Sequence, residues 1–154
     1  MSLIFATLLH PINDITTSFN PVPLFTFAQS LPANKGKTLE YAERMQPIQQ
    51  KLYPDLQPLM TKLDSPSLFA LTRTLAGEMK NWEVTGVDAE HYRLEAVATS
   101  ALLRFADDVV IEVRAEPSGA SLHMRSRSRL GRNDFAANYK RIFMFQEELR
   151  KRLN

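Results

Sequence analysis

Apolar and polar side chains alternate along four segments in the second half of the chain. The alternation covers residues 82–87, 91–103, 109–115 and 120–130. Successive side chains of a β-strand point to opposite faces of a sheet, so a two-residue period indicates strands with one buried face. The pattern therefore predicts four antiparallel strands joined by short turns, and a short edge strand within residues 56–63 makes a fifth.

Two longer segments show the three-to-four-residue spacing of an amphipathic helix. In residues 65–79, Ser65 and Pro66 supply a start signal, because serine caps helix N-termini and proline fits the first turn. Residues 134–152 form the second helix, and a shorter one, kinked at its proline, is predicted over residues 38–51. The inward stripe of the last helix is predicted to consist of Phe135, Tyr139, Ile142, Phe145 or Gln146, and Leu149.

Together these elements predict an α+β fold, a two-layer sandwich whose antiparallel sheet of four to five strands carries the two main helices on one face. Residues 1–37 contain four prolines and are predicted to form an irregular arm packed on the surface of a compact core, residues 38–154. The length of 154 residues is ordinary for a single domain. The apolar run over residues 3–9 is shorter than the roughly 20 residues of a membrane-spanning helix, so no transmembrane segment is predicted.

Charge complementarity suggests a register for the last two strands. A hairpin loop over residues 117–120 would place Glu112 opposite Arg125 and Asp108 opposite Arg129. Opposite charges that face each other across a ladder favour that pairing. The same register collects apolar side chains on the other face, where the helices are expected.

Basic residues concentrate in the last part of the chain, although the formal net charge is only +2. After residue 120 the acidic residues are limited to Asp134, Glu147 and Glu148. The basic residues there are Arg125, Arg127, Arg129, Arg132, Lys140, Arg141, Arg150, Lys151 and Arg152. This asymmetry directs the search for a ligand toward anionic groups.

The candidate binding residues are Arg125, Arg127 and Arg129, which alternate along one strand and therefore share one face. Guanidinium groups in a row can grip phosphate, carboxylate or an anionic lipid headgroup through paired hydrogen bonds. Gly131 and Arg132 extend this surface to the start of the last helix, whose free N–H groups favour anions. Two plainer interpretations compete: carboxylates on neighbouring strands neutralise the arginines, and Asn133 and Asp134 simply cap the helix.

Asp107 and Asp108 are the remaining candidates, and they allow a second function, a hydrolase or isomerase that uses one of these carboxylates near Arg129. Adjacent strand residues point to opposite faces, however, so the two carboxylates converge only if a turn redirects them. The histidines have no metal-ligand spacing and the chain has no cysteine, so neither a metal nor a cofactor is predicted, and no catalytic residue is assigned. The alternation of arginine and serine leaves weak nucleic-acid binding as a third alternative, which the small net charge and the lack of an aromatic platform disfavour.

Several segments resemble a single family, the uncharacterised and mainly bacterial proteins catalogued as domain of unknown function 1499. The similar segments are Asn13 to Thr17 with Pro21, Pro23 and Phe25, Gln49 with Tyr53 to Leu59, Phe105 to Ile111, Arg125 to Asp134, Ala137-Asn138, and Arg141-Ile142. The chain departs from the family pattern at residues 18–20, where acidic residues are usual, and at Phe135-Ala136, where Leu-Gly is usual. The resemblance implies no activity and no catalytic residue.

The resemblance also implies a bacterial protein of the cell envelope, because members often carry an N-terminal membrane or export segment; a cytoplasmic location stays open. From these observations we expect a non-catalytic binding or interaction module. Its expected contact surface is the arginine face or the groove beside Gly131, and its partner an anionic small molecule, a lipid headgroup or a protein. The sequence does not indicate an oligomeric state.

Overall fold

The structure, a computed structural model, describes residues 11–154, so the apolar run over residues 3–9 lies outside the described residues. Six antiparallel strands form one open sheet in the order β1-β6-β5-β4-β3, and β2 pairs with β6 on the same edge as β1. The strands are β1 (Asp14–Thr16), β2 (Leu59–Thr61), β3 (Trp82–Asp88), β4 (Arg93–Thr99), β5 (Ala106–Glu116) and β6 (Gly119–Ser128).

Three α-helices among residues 11–154 complete the described fold and confirm the predicted α+β class. They are α1 (Met45–Leu52), α2 (Ser65–Glu78) and α3 (Ala137–Leu153), and two short 3₁₀ helices lie at Ala28–Ser30 and Pro32–Asn34. Within residues 11–154, none of the helices has the length and apolar character to cross a bilayer.

The main hydrophobic core lies between α2, α3 and one face of the sheet. Val109, Ile111, Leu122 and Met124 have no exposed surface and supply the sheet side of this core. On the helix side, the ring of Phe145 in α3 stacks on Trp82 with the ring centroids 5.3 Å apart. Burial of apolar surface is the main favourable contribution to folding, so this layer fixes how α3 sits on the sheet.

The predicted register of β5 and β6 is wrong by two residues. Asp108 pairs with Arg127 and Glu112 with His123, because the hairpin turn contains only Pro117 and Ser118. Gly119 begins β6 and lies against β2, where an added Cβ would come within 2.0 Å of the carbonyl oxygen of Thr61. A shift of two residues preserves the faces, which is why the apolar layer was nevertheless predicted correctly.

Element ends account for most of the other differences. The first helix begins at Met45 rather than at residue 38. Strand β4 ends at Thr99 rather than at residue 103, so Leu102 lies in the following loop and is exposed. Phe135 was predicted to face inward but is exposed, because it lies in a left-handed turn before α3 with φ of 51°. The cap of α2 is Asp64, whose carboxylate accepts a hydrogen bond from Ser67 N–H, rather than Ser65.

The irregular arm was predicted over residues 1–37. In the structure the irregular segment that crosses the face of the sheet opposite to the helices is residues 20–40, and from here on the arm means these residues. Glu95 of β4 holds it: one carboxylate oxygen accepts hydrogen bonds from Thr26 N–H at 2.5 Å and Phe27 N–H at 3.1 Å, and the other accepts from Ala28 N–H at 2.6 Å. The Phe27 ring lies over Gly86 of β3, so closely that an added Cβ would come within 2.1 Å of it.

Candidate functional site

Arg125, the central candidate of the arginine strand, is completely buried beneath the arm. Its guanidinium donates to both carboxylate oxygens of Asp14, at 2.9 and 2.8 Å, and to the carbonyl oxygens of Pro23 at 3.0 Å and Leu39 at 2.7 Å. The Phe25 ring adds a cation–π contact at 4.7 Å. Arg125 therefore ties β1 and the arm to β6, and its hydrogen-bonding capacity serves the fold.

The neighbouring arginines of the strand are also engaged internally. Arg129 donates to Asp108 at 2.7 Å, and Asn34 of the arm donates to the same carboxylate at 2.9 Å. Arg127 lies 3.8 Å from Asp14, and one of its terminal nitrogens is buried without a hydrogen-bond partner. The ion pair predicted between Asp108 and Arg129 is present, although the two residues are diagonal rather than opposite neighbours.

The expectation of a solvent-facing arginine row is thus corrected. The arm has no periodic pattern, so its sequence could not show that prolines and carbonyl oxygens would cover this face. A ligand could not reach Arg125 unless the arm moved away, and only small parts of Arg127 and Arg129 are exposed.

Asp107 and Asp108 lie on opposite faces of the sheet, as strand geometry requires. Asp108 faces the arm, whereas Asp107 faces α3 and forms an ion pair with Arg141 at 2.8 Å. A paired carboxylate site built from both aspartates is therefore absent from the described structure. The second carboxylate near Asp107 is Asp134, which follows β6.

A cavity of about 310 Å³ opens where the β4–β5 loop, residues 100–105, meets the β6–α3 loop, residues 129–136. We call it the loop-end pocket. Two of the candidate binding residues named from the sequence, Asp107 and Gly131, line this pocket. The pocket lining does not include Arg125, Arg127, Arg129 or Asp108. Its lining includes Phe105, Asp107, Ser128, Leu130, Phe135 and Arg141.

Buried polar groups form the floor of the loop-end pocket. Arg141 donates to Asp107 at 2.8 Å and to Asn138 Oδ1 at 2.8 Å. Asn138 in turn donates through its amide to Ser128 Oγ at 2.9 Å and to Asp134 at 2.8 Å. This network anchors the first turn of α3 to the end of β6 and gives the pocket a rigid, hydrogen-bonded base.

Asp134 also accepts hydrogen bonds from the backbone N–H groups of Ala136 and Asn138, at 2.9 and 3.1 Å. These contacts match the interpretation that the helix start is capped by its own aspartate rather than by a bound anion. Asn133, the predicted cap, instead accepts from Phe135 N–H within the loop. Ala136 is left-handed, with φ of 71°, and it stands where the resembling family usually has glycine.

Both carboxylates of the floor are harder to ionise than an ordinary aspartate. Burial raises the pKa of Asp107, the Arg141 guanidinium partly offsets this, and the nearby Asp134 raises it further. Burial likewise raises the pKa of Asp134 against the hydrogen bonds from Asn138. These two carboxyl groups therefore keep their protons to a higher pH than a surface carboxyl group does.

The rim of the loop-end pocket is apolar and exposed. Phe105, Leu130 and Phe135 each leave more than half of their surface open, with Leu130 at 68 %. A contiguous patch of exposed large apolar side chains often marks an interaction site. An apolar rim over a charged floor is the arrangement of a pocket for a small molecule that carries one polar end.

Arg132 does not join the pocket. It lines a different cavity, of about 480 Å³, together with Arg44. Another cavity, of about 610 Å³, lies between the start of the arm and α1 and is lined by Asn20, Gln50, Tyr53 and Gln57 among others. Its lining contains no carboxylate, guanidinium or imidazole group, and burial raises the pKa of its titratable residue, Tyr53, further above the ordinary value, so this cavity holds no group that ionises near neutral pH.

Comparison with known proteins identifies the family. A family model described as protein of unknown function, DUF1499, matches residues 14–149. The chain belongs to the DUF1499 family. The match includes β1, the arm and both loops of the pocket, so the DUF1499 region contains every element described above except the end of α3.

Membership of DUF1499 carries no established activity, and no curated protein matches the chain. Among solved structures, the crystal structure of protein MLL2253 from Mesorhizobium loti is similar, with a TM-score of 0.45 and 13 % identity. The aligned part covers 63 % of this chain and 96 % of that one.

Sequence reasoning missed several residues that organise the site. Arg141 and Asn138 were noted only as residues of the closing helix that resemble the family, and no pattern assigned them to Asp107. Glu95 lies on a neighbouring strand, where a carboxylate is expected to neutralise the arginines, yet it binds the arm backbone instead. These contacts join residues far apart in the chain, and periodicity contains no information about such pairs.

Proposed function

We propose that this DUF1499 chain is a binding module that holds a small amphiphilic molecule in the loop-end pocket. The observation that carries the proposal is the combination, in one cavity of about 310 Å³, of exposed apolar side chains at the rim and buried titratable groups at the floor. The apolar part of the ligand would contact Phe105, Leu130 and Phe135. Its polar end would reach Asp107 and Ser128.

The floor favours a polar end that donates hydrogen bonds. Asp107 and Asp134 outnumber Arg141, so the ionised floor would have a net charge of −1. Arg141 already donates to Asp107, Asn138 and Ser126, whereas the Asp107 carboxylate retains acceptor capacity. A hydroxyl or an amine therefore suits the floor better than a carboxylate or a phosphate, and the anionic ligand predicted from the arginine strand is not the ligand proposed for this pocket.

Fluorescence titration with N-phenyl-1-naphthylamine, an apolar probe with one N–H donor, tests the proposal. We expect saturable binding that Phe105→Ala weakens by about tenfold, because an apolar contact in a pocket contributes roughly this much. Phe143→Ala is the matched control, since Phe143 is 46 % exposed, close to the 52 % of Phe105, but does not line the pocket. This control should bind the probe as the unaltered protein does.

Competition identifies the polar end. Decanol, decylamine and decanoate share one chain length and differ in the head, so the first two should displace the probe and decanoate should not. If decanoate competes best, the ligand is anionic and the argument from the floor is wrong. Equal effects of Phe105→Ala and Phe143→Ala would show that the probe binds elsewhere.

An enzymatic role remains the second candidate, and one observation favours it. Asp107 has a raised pKa, lies at the base of a cavity and forms a hydrogen bond with Ser128, which is the environment of a general acid. Asp108, the other predicted carboxylate, faces the arm and would take no part. Turnover of p-nitrophenyl esters or glycosides that disappears in Asp107→Asn would favour a hydrolase over a binding module.

A further inference from the structure

Exposed apolar side chains are concentrated at one end of the molecule. Among residues 11–154, ten large apolar side chains are exposed, and seven of them lie on the two pocket loops or on α3 close to its start. Leu102, at the tip of the β4–β5 loop, is 89 % exposed. The seven are Leu102, Leu103, Phe105, Leu130, Phe135, Phe143 and Met144.

Exposed cations accompany these apolar residues. Arg104 lies between Leu103 and Phe105, Arg132 follows Leu130 by two positions, and Lys140 is in the first turn of α3. All three are exposed, and none forms an ion pair with a carboxylate of the described residues. The acidic groups at this end, Asp107 and Asp134, are buried in the pocket floor. The surface is thus apolar and positively charged at once.

We propose that this end of the molecule docks on an anionic phospholipid bilayer, with Leu102, Leu103 and Leu130 inserted among the lipids and the three cations at the headgroups. Apolar side chains that enter the interfacial region and basic side chains that contact anionic headgroups act together in such binding. The proposal goes beyond the function proposed for the pocket, because the loop tips can dock whether or not the pocket is occupied.

Charge favours an anionic bilayer over a second copy of the chain as the partner of this surface. A two-fold symmetric dimer through the same surface would bring the same basic patch of both copies together, with Arg104, Arg132 and Lys140 from each. Like charges placed together are unfavourable, and the two pocket carboxylates, Asp107 and Asp134, are buried where they cannot neutralise them. An anionic bilayer removes that repulsion and accommodates leucines that project from separate loops.

Co-sedimentation with vesicles tests the docking surface. The unaltered chain should bind vesicles of phosphatidylcholine mixed with phosphatidylglycerol much better than vesicles of phosphatidylcholine alone, and high salt should weaken that binding. Leu102→Ser with Leu103→Ser should weaken binding by about tenfold or more, since two apolar insertions are lost. Arg104→Gln with Arg132→Gln should weaken it by a similar factor.

Matched controls separate docking from general surface properties. Leu24→Ser with Met60→Ser changes two apolar residues that are each 60 % exposed but lie away from the pocket loops. Arg73→Gln with Lys51→Gln removes the same charge from exposed positions on α2 and α1. Both control pairs should bind the mixed vesicles as the unaltered chain does, and circular dichroism should show all variants folded.

The proposal is overturned if the leucine pair binds mixed vesicles normally, if either control pair loses binding equally, or if both kinds of vesicle bind alike. It is also overturned if sedimentation velocity shows a dimer that the leucine pair dissociates while vesicle binding is absent. Probe binding in the leucine pair keeps the two proposals apart. Retained N-phenyl-1-naphthylamine binding with lost vesicle binding in that variant supports docking independently of the pocket. In the unaltered chain, vesicle binding without probe binding removes only the pocket.

Discussion

His123 is buried on β6, whereas His91, the other histidine among residues 11–154, is exposed. One ring nitrogen of His123 lies 2.8 Å from Ser121 Oγ, and Nδ1 is buried without a hydrogen-bond partner. Burial, helped by the charge of Arg114, lowers the pKa of His123 to about 4. The imidazole therefore stays neutral in the folded protein at pH values where the unfolded chain would bind a proton.

This difference predicts that stability falls on acidification. Above the unfolded pKa of about 6.5 both states are neutral at this position, and as the pH falls toward 4 only the unfolded state gains a proton. Between about pH 7.5 and about pH 5 the folded state should lose about 1 kcal/mol through His123, a figure reduced for partial solvent screening. Urea unfolding at the two pH values should show a smaller loss for His123→Gln, and His91→Gln should behave like the unaltered protein.

The same residues show how far a single position could be predicted. Alternation along β6 correctly placed Arg125, Arg127 and Arg129 on one face, because that depends only on strand geometry. Their partners were not predictable, since Asp14 and Leu39 are brought to Arg125 by segments that show no periodic pattern. The guanidinium groups do bind oxygen acceptors, as expected, but the acceptors are a carboxylate and carbonyl oxygens of the protein itself rather than of a ligand.

Among the elements, the loop that joins β6 to α3 has the most constrained backbone. Gly131, Phe135 and Ala136 all have positive φ, and this geometry turns the chain sharply enough to bring Asp134 and Asn138 beside Ser128. The sequence marked the loop through Gly131, but alternation alone could not show that Phe135 would turn outward to the pocket rim. Side-chain direction in such a loop follows from φ and ψ values that periodicity does not report.

Replacing each of two glycines by alanine tests this account of the loop. Gly131→Ala should destabilise the fold by about 1 kcal/mol, because alanine at the observed φ of 81° is strained even though the space around it is open. Gly77→Ala, in α2 and also in open space, should instead stabilise the fold by about 0.5–1 kcal/mol. Thermal or urea unfolding measures both. Equal effects of the two substitutions would contradict a special role for the backbone at Gly131.

At the scale of the whole molecule, the two faces of the sheet are covered by different physical means. Helices α2 and α3 bury apolar side chains on one face, which is the pattern that periodicity reports and which the sequence predicted. The arm covers the other face through hydrogen bonds to buried side chains such as Glu95 and Arg125, together with a small apolar cluster around Val110. The prolines of the sequence predicted an irregular arm at the surface but not the path of that arm. Its path is set by hydrogen bonds to Glu95 and Arg125, and these residues lie about 70 or more positions away in the chain.

The arm should open as a unit of its own, and hydrogen exchange can detect this. Regions held by few apolar contacts open at lower free energy than a core of central strands. Glu95→Gln removes charge-assisted hydrogen bonds at about 1.5–3 kcal/mol each, so the amides of residues 26–28 should exchange at least about tenfold faster. Amides of β5 should keep their rates if opening is local, whereas an equal acceleration there would show that the arm and the sheet unfold together. Glu83→Gln, an exposed carboxylate of β3 with no arm contact, should change neither set, which assigns the effect to the hydrogen bonds at Glu95 rather than to the loss of one negative charge.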